Sequence, residues 1–204
     1  IFIIPSDGGT PRKLTNGNFN HDGPLSWRPD GSGLFFSSNR NPDWEYEAIE
    51  RDIYFISIGD GKLLHITEQS GGESMPVVSP DGKYLAYVFD DGRKIPYRNK
   101  ILKYIILNDS TDKSLTENFD RSVSNIKWSS DSKGIYFTYD DQGNRKVAYT
   151  TLKGKFKTVV DSLGGNSLGR PYLSGSYTVS KKNLVAYTHV TTLRPADVAV
   201  SDQK

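Results

Sequence analysis

The sequence has no cysteine and a single methionine in 204 residues. Disulfides, thiolate metal ligands and a cysteine nucleophile are therefore excluded. Its three histidines, His21, His65 and His189, are widely separated, and no pair has a ligand spacing such as H-E-x-x-H. No apolar run reaches the ~18 residues that would cross a bilayer as a helix. No stretch reads as a signal peptide, and no window shows the period of a long amphipathic helix. Excess charge is also lacking: 26 basic and 24 acidic residues are mixed along the chain, for a net +2, with no basic stripe to track a phosphate backbone. The expected partners thus include neither nucleic acid nor a membrane interior. The compartment, periplasmic or cytoplasmic, stays open, since the chain starts at Ile1 inside a strand-like run and any targeting segment would lie upstream.

What is present is a repeat. Met75 to Tyr87 reads M-P-V-V-S-P-D-G-K-Y-L-A-Y: two short apolar runs around Ser79-Pro80-Asp81-Gly82. Pro presets φ at the second turn position and Gly relieves the exit, so the stretch predicts strand, tight turn, strand. The unit returns as Leu25-Ser26-Trp27-Arg28-Pro29-Asp30-Gly31 with Leu34-Phe35-Phe36, and as Ile126-Lys127-Trp128-Ser129-Ser130-Asp131 with Ile135-Tyr136-Phe137. A degraded copy spans Ser176 to Lys182 with Leu184-Val185-Ala186-Tyr187. The turn aspartates Asp30, Asp81 and Asp131 are 51 and 50 residues apart. Each copy is followed by a second hairpin, for example Asp52 to Ile56 with Lys62 to Thr67, and Lys146 to Tyr149 with Phe156 to Val160. Four short strands in each ~50 residues predict an all-β chain, a β-propeller of four-stranded antiparallel blades whose core runs between neighbouring blades.

The expected organisation is one partial propeller over 1–204. Its blades cover about 1–15 (second half only), 23–67, 74–116, 121–160 and 173–201 (incomplete), with about 17 strands. Two insertions interrupt the period, Ser38 to Arg51 and Asp90 to Asn99. Loops held on a rigid scaffold are where binding residues concentrate.

Candidate chemistry is sparse. Gly165-Asn166-Ser167-Leu168-Gly169 fits the nucleophile pattern G-x-S-x-G, but Arg170-Pro171-Tyr172 follows it where a helix should begin, so a chance match in a loop is the better reading. The Asp-Gly turns lack the alternating D-x-D-x-D-G ligand series of a calcium loop, and their carboxylates are expected to organise the turns themselves. Neither a catalytic residue, nor a metal site, nor a cofactor is expected within this chain. In the first insertion, Asp43-Trp44-Glu45-Tyr46-Glu47-Ala48-Ile49-Glu50-Arg51 gathers four carboxylates and two aromatics, a set suited to a cationic group such as a peptide amino terminus. Trp44, Glu45, Tyr46, Glu47 and Arg51 are the substrate-contact candidates; a solvated charged loop accounts for the same residues. In the second insertion Arg93, Lys94, Arg98 and Lys100 could meet a carboxylate, or merely face solvent. Trp27 and Trp128 are expected to pack between blades.

These residues resemble the propeller domain of prolyl-oligopeptidase-family serine peptidases, in the acylaminoacyl-peptidase and dipeptidyl-aminopeptidase-like branch. The resemblance extends beyond the S-P-D-G turn, which periplasmic Tol-type propellers share. It includes Ser37-Ser38-Asn39-Arg40 with Pro42 to Tyr46, Asp120-Arg121-Ser122-Val123 ahead of Trp128-Ser129, Tyr139 to Gly143, Arg170-Pro171-Tyr172, and Thr191 to Val200. It implies seven blades in the whole domain, with about four here. It also implies a C-terminal α/β-hydrolase domain of the same polypeptide that carries the catalytic triad, and short peptides as substrates. The implied role of this segment is non-catalytic gating of access to that domain. A stand-alone Tol-like interaction propeller is the rival, and exposed terminal strands would invite self-association through their edges.

Overall fold

The computed structural model describes residues 1–92, 97–165, 175–191 and 193–201. Strands account for nearly all of its regular structure, and no helix occurs among the described residues. A short hairpin, β1 (Phe2–Ile3) and β2 (Arg12–Lys13), comes first. Three four-stranded antiparallel sheets follow. The first is β3 (His21–Trp27), β4 (Gly33–Ser38), β5 (Asp52–Ser57) and β6 (Leu63–His65). The second is β7 (Gly72–Val78), β8 (Tyr84–Asp90), β9 (Ile101–Ile106) and β10 (Thr111–Ser114). The third is β11 (Val123–Trp128), β12 (Gly134–Asp141), β13 (Asn144–Thr151) and β14 (Phe156–Val160). A three-stranded sheet, β15 (Tyr177–Val179), β16 (Val185–Thr191) and β17 (Arg194–Ser201), ends the described chain. Within each sheet, strands pair in sequence order. The expected all-β fold of four-stranded antiparallel sheets is thus what the chain adopts.

Apolar burial lies between sheets, not within one. Phe35, Ile53 and Phe55 of the first sheet meet Val78, Leu85, Tyr87 and Ile105 of the second. Ala86, Val88, Leu102 and Tyr104 meet Ile126, Trp128, Ile135 and Phe137 of the third. Tyr136, Val147 and Val160 meet Tyr177 and Val185 of the last. Leu14 and Ile3 from the first hairpin cover Leu34, Phe36, Tyr54 and Ile56. The second strand of each four-stranded sheet is covered on both faces over most of its middle, as β4, β8 and β12 show. That is why Leu34-Phe35-Phe36 and Ile135-Tyr136-Phe137 read as continuous apolar runs without alternation.

The turns do what their composition predicts. Asp81 Oδ1 accepts from Ser79 Oγ at 2.6 Å and from Lys83 N at 3.1 Å, while Ser79 Oγ accepts from Tyr84 N at 3.0 Å. Fifty residues on, Asp131 Oδ1 repeats this with Ser129 Oγ (2.7 Å) and Lys133 N (3.2 Å), and Ser129 Oγ accepts from Gly134 N. In the first sheet Arg28 replaces the serine, and Asp30 accepts instead from Ser32 N and Ser32 Oγ. Gly33 and Gly134 hold the same place after these turns. A Cβ at either would meet a ring of the third strand, Phe55 or Tyr149, and a backbone carbonyl.

Two expectations are corrected. The first strands extend further upstream than their apolar runs, to His21, Gly72 and Val123. Bulges between Asp22 and Ser26, Ser74 and Val77, and Ser124 and Lys127 break the alternation there and hide the upper half of each strand from a period-2 reading. Trp128 packs between sheets as expected, 7% exposed, with Nε1 donating to Val77 O at 2.8 Å and its ring stacked on Tyr84. Trp27 does not: it is 51% exposed, because only the two-stranded hairpin covers the first sheet on that side, and it packs on β4 and β5 rather than on the first strand that carries Trp27.

Candidate functional site

In an antiparallel meander, successive connections alternate between the two ends of the sheet. The Ser-Pro-Asp-Gly turns and the hairpins joining third to fourth strands therefore share one end. The connections from second to third strand, and from each sheet to the next, share the other. Equivalent strands meet side by side, as Trp128 and Val77 show, so these ends form common faces. Both insertions lie on the face opposite the repeated turns.

On that face the first insertion is a chain of tight turns. Trp44 N donates to Asn41 O, Tyr46 N and Glu47 N donate to Asp43 O, and Glu50 N donates to Glu47 O. Asn39 braces it from within, its Nδ2 donating to Glu47 O at 2.7 Å. Trp44 is half-buried, while Glu45, Tyr46 (81% exposed) and Glu47 project into solvent. Arg51, half-buried, lies against Gly72 of the next sheet and lines a cavity of about 160 Å³ with Asp90 and Lys100. The five expected contact residues thus do not converge: Arg51 stands apart from the other four.

Carboxylates do converge just beneath, where Glu50 of the acidic run meets Asp52, Glu68 and Glu73, which composition did not single out. Glu50 Oε2 accepts from Gly71 N at 3.0 Å, tying the insertion to the linker between sheets. Asp52, at the start of β5, pairs with His65 (Nε2 to Oδ2 2.8 Å), and His65 Nδ1 lies 3.5 Å from Glu68 Oε1. The His65 ring stacks on Tyr54 with centroids 4.7 Å apart. Glu50, Asp52, His65, Glu68, Asn41 and Gln69 line one open cavity of about 340 Å³. Behind Asp52, Glu73 of β7 is wholly buried. Its Oε2 accepts from Thr67 Oγ1, and its Oε1 has no partner. Desolvation, aided by the Asp52 charge, pushes the Glu73 carboxyl up to about 8, so it is largely protonated at neutral pH. Burial also raises Asp52, against the pull of His65. The sequence marked only Glu50, as part of the acidic run of the insertion; Glu73 lies in the upper half of β7, which the apolar runs did not reveal.

Next to it, Lys103 donates to Gln69 Oε1 at 2.7 Å and pairs with Asp112, which also accepts from Tyr87 OH at 2.7 Å. This satisfied network crosses from the linker into the second sheet. At the second insertion, Arg98 pairs with Asp91 beside a cavity of about 550 Å³ walled by Phe89, Tyr97 and Phe119. Arg93 and Lys94 lie outside the described residues, as do Ser167, the rest of its G-x-S-x-G stretch after Gly165, and Arg170-Pro171-Tyr172. His21 sits 3.2 Å from Arg40 Nη1, and His189 packs edge-on to Tyr187. Among the described residues, no group of three or more acidic or histidine side chains is disposed to hold a metal ion.

Consecutive four-stranded antiparallel sheets, packed face to face with their first strands adjacent, define a β-propeller segment. Residues 1–97 match the family described as the dipeptidyl peptidase IV (DPP IV) N-terminal region. The chain is 30% identical over 140 residues to Dipeptidyl-peptidase 5 of Porphyromonas gingivalis, which is 66% of this chain and 20% of that protein. It is also 28% identical over 168 residues to the Tol-Pal system protein TolB of Francisella tularensis, 80% of this chain and 35% of that protein. Among solved structures, a puromycin-hydrolyzing peptidase of Mycobacterium tuberculosis superposes with a TM-score of 0.69 at 16% identity, covering 95% of this chain and 32% of that one. The chain therefore spans only a minor part of the length of these relatives. The resemblance to peptidase-family propellers read from the sequence is borne out, and so is the likeness to Tol-type propellers.

Proposed function

We propose that this chain is the non-catalytic propeller segment of a serine exopeptidase or oligopeptidase, gating the approach of short peptides to a C-terminal α/β-hydrolase domain of the same polypeptide. The observation that carries this reading is the match of residues 1–97 to the DPP IV N-terminal region, joined to the homology with Dipeptidyl-peptidase 5. The arrangement of the loops supports it: both insertions rise from one face, where an adjoining domain would cover them. On that face the carboxylates of Glu45, Glu47, Glu50, Asp52 and Glu68 favour a cationic group, and a peptide amino terminus has that chemistry. Trp44 and Tyr46 complete this proposed contact, and Arg51, in the neighbouring cavity with Asp90 and Lys100, is proposed to meet another part of the peptide. Excluding folded proteins by the width of an opening is a steric function and uses no reactive side chain.

The test is kinetic. In the intact protein, Glu45→Gln with Glu47→Gln raises KM for peptides with a free amino terminus and leaves blocked peptides unchanged. Equal effects on both kinds of peptide remove the amino-terminus contact.

The TolB homology over 80% of the chain favours a second reading, an interaction propeller whose partners are other proteins. The reading frame after Lys204 separates the two. A further domain with a strand followed by G-x-S-x-G supports the peptidase, and an early stop supports the scaffold. Self-association through the edge of β17 belongs to the second reading, and sedimentation tests it.

A further inference from the structure

A cavity of about 500 Å³ lies where the first strands of the sheets converge. Its place follows from the repeat. Four residues before the first residue of each turn, Arg28, Ser79, Ser129 and Ser180, stand Pro24, Met75, Asn125 and Ser176, and all four line this cavity. It is the space where the array's first strands converge, reached by the same position from each of the four larger sheets. Val77, Trp128 and Tyr177 complete a mostly apolar wall.

The polar backbone along this wall is largely accounted for. Met75 and Asn125 take left-handed conformations, φ 55° and 47°, inside the bulges, which lift them out of the strand ladder. Two carbonyls along this wall couple neighbouring sheets: Asn125 O, inside its bulge, accepts from Tyr177 OH, and Val77 O, just past the other bulge, accepts from Trp128 Nε1. The Asn125 amide donates to Thr138 Oγ1 at 3.3 Å. This backbone strain serves assembly of the array.

One group is left over. Two residues before each turn the repeat places Ser26, Val77, Lys127 and Thr178. Three of these are small and uncharged, and the fourth is a lysine on the cavity wall. Lys127 is exposed at the cavity's edge, its Nζ lies 5.5 Å from the Tyr177 ring centroid, and among the described residues no carboxylate pairs with it. A cation that departs from the repeat, set on an apolar wall with a ring beneath it and no counter-ion, is complementary to an anion with an apolar body.

We propose that this cavity binds an apolar carboxylate. Lys127 Nζ pairs with the carboxylate, and Pro24, Met75 and Val77 receive the hydrocarbon. The volume suits a ligand the size of one aromatic amino acid. Small organic acids and the C-termini of short peptides share this chemistry. The site uses no residue of the insertion at 38–51 and stands independently of the function proposed above.

Titration of the intact protein by calorimetry with 3-phenylpropionate, 3-phenylpropanamide and N-acetylphenylalanine tests the assignment. Both acids bind and the amide does not. Lys127→Gln weakens both acids about five- to tenfold, and Lys127→Arg retains them. Tighter binding of N-acetylphenylalanine names peptide C-termini as the source, and tighter binding of 3-phenylpropionate names small acids. The proposal is overturned if the amide binds as well as the acid, if a folded Lys127→Gln variant binds unchanged, or if neither acid binds up to about 10 mM.

Discussion

The two ends of the propeller segment use the same residue type in opposite ways. At the turn end, Asp30, Asp81 and Asp131 each accept from turn donors, and those bonds help hold all three carboxyls below the ordinary carboxylate range. At the loop end, Asp52 and Glu73 are raised by burial. A carboxylate surrounded by its own hairpin's N–H and O–H groups is a structural part, complete within six residues. A carboxylate buried with too few donors, as Glu73 is with one oxygen unpartnered and Asp52 behind it, is held in a costly state and responds to protons. The repeat is strict where the bonding is local and loose where it is not.

That contrast can be broken most forcefully between the ends, at the seam they share. Trp128→Phe keeps a ring against Tyr84 but removes the indole N–H donor to Val77 O and part of the buried ring, and stability should fall by about 1–3 kcal/mol in a urea titration. An unchanged midpoint would mean the strap between second and third sheets is dispensable.

At the turn end, Asp131→Ala removes the acceptor for Ser129 Oγ and Lys133 N. A loss of about 1 kcal/mol is expected, and Asp81→Ala should match it. A large difference between the two would refute the equivalence of the copies.

At the loop end the prediction concerns pH. The Glu73 carboxyl binds a proton up to about 8 in the folded protein but only up to the ordinary glutamate range when unfolded. Between those values the folded state holds the extra proton, so stability falls as pH rises, and Asp52 acts in the same direction. The melting temperature should drop on the order of 5 °C from pH 5 to pH 8, and Glu73→Gln should flatten the slope. A slope that persists in Glu73→Gln would place the titrating group elsewhere. The lowered turn aspartates act oppositely, losing their contribution only under more acid conditions.

The smallest effect is expected at the exposed tip. Glu45→Gln with Glu47→Gln should leave the melting temperature unchanged, since both side chains project into solvent. A clear loss of stability there would make the tip part of the scaffold.

Asp81 illustrates what could be read directly. Its turn is written in four adjacent residues, each with a local reason, and the bonds formed are the ones those residues predict. Glu73 illustrates what could not. Nothing in Gly72-Glu73-Ser74 announces that Thr67 and Asp52 will lie against it, because those contacts come from a neighbouring sheet. Lys127 is an intermediate case. Its departure from the repeat is visible in the sequence, but its lack of a counter-ion is a fact of three-dimensional neighbourhood. Trp27 and Trp128 make the same point in the core: they hold equivalent places in the repeat, yet one is buried and the other half-exposed, according to what lies on the adjoining sheet.

The amino-acid sequence by itself determined the strands, the turns and the fifty-residue period, since φ preferences and turn hydrogen bonds act over a few neighbouring residues. Only the tertiary structure decided which carboxylates lose water, which ring lies beside Lys127 and which tryptophan is covered. Desolvation and charge pairing depend on groups brought together from different sheets, and no local run of residues encodes that distance.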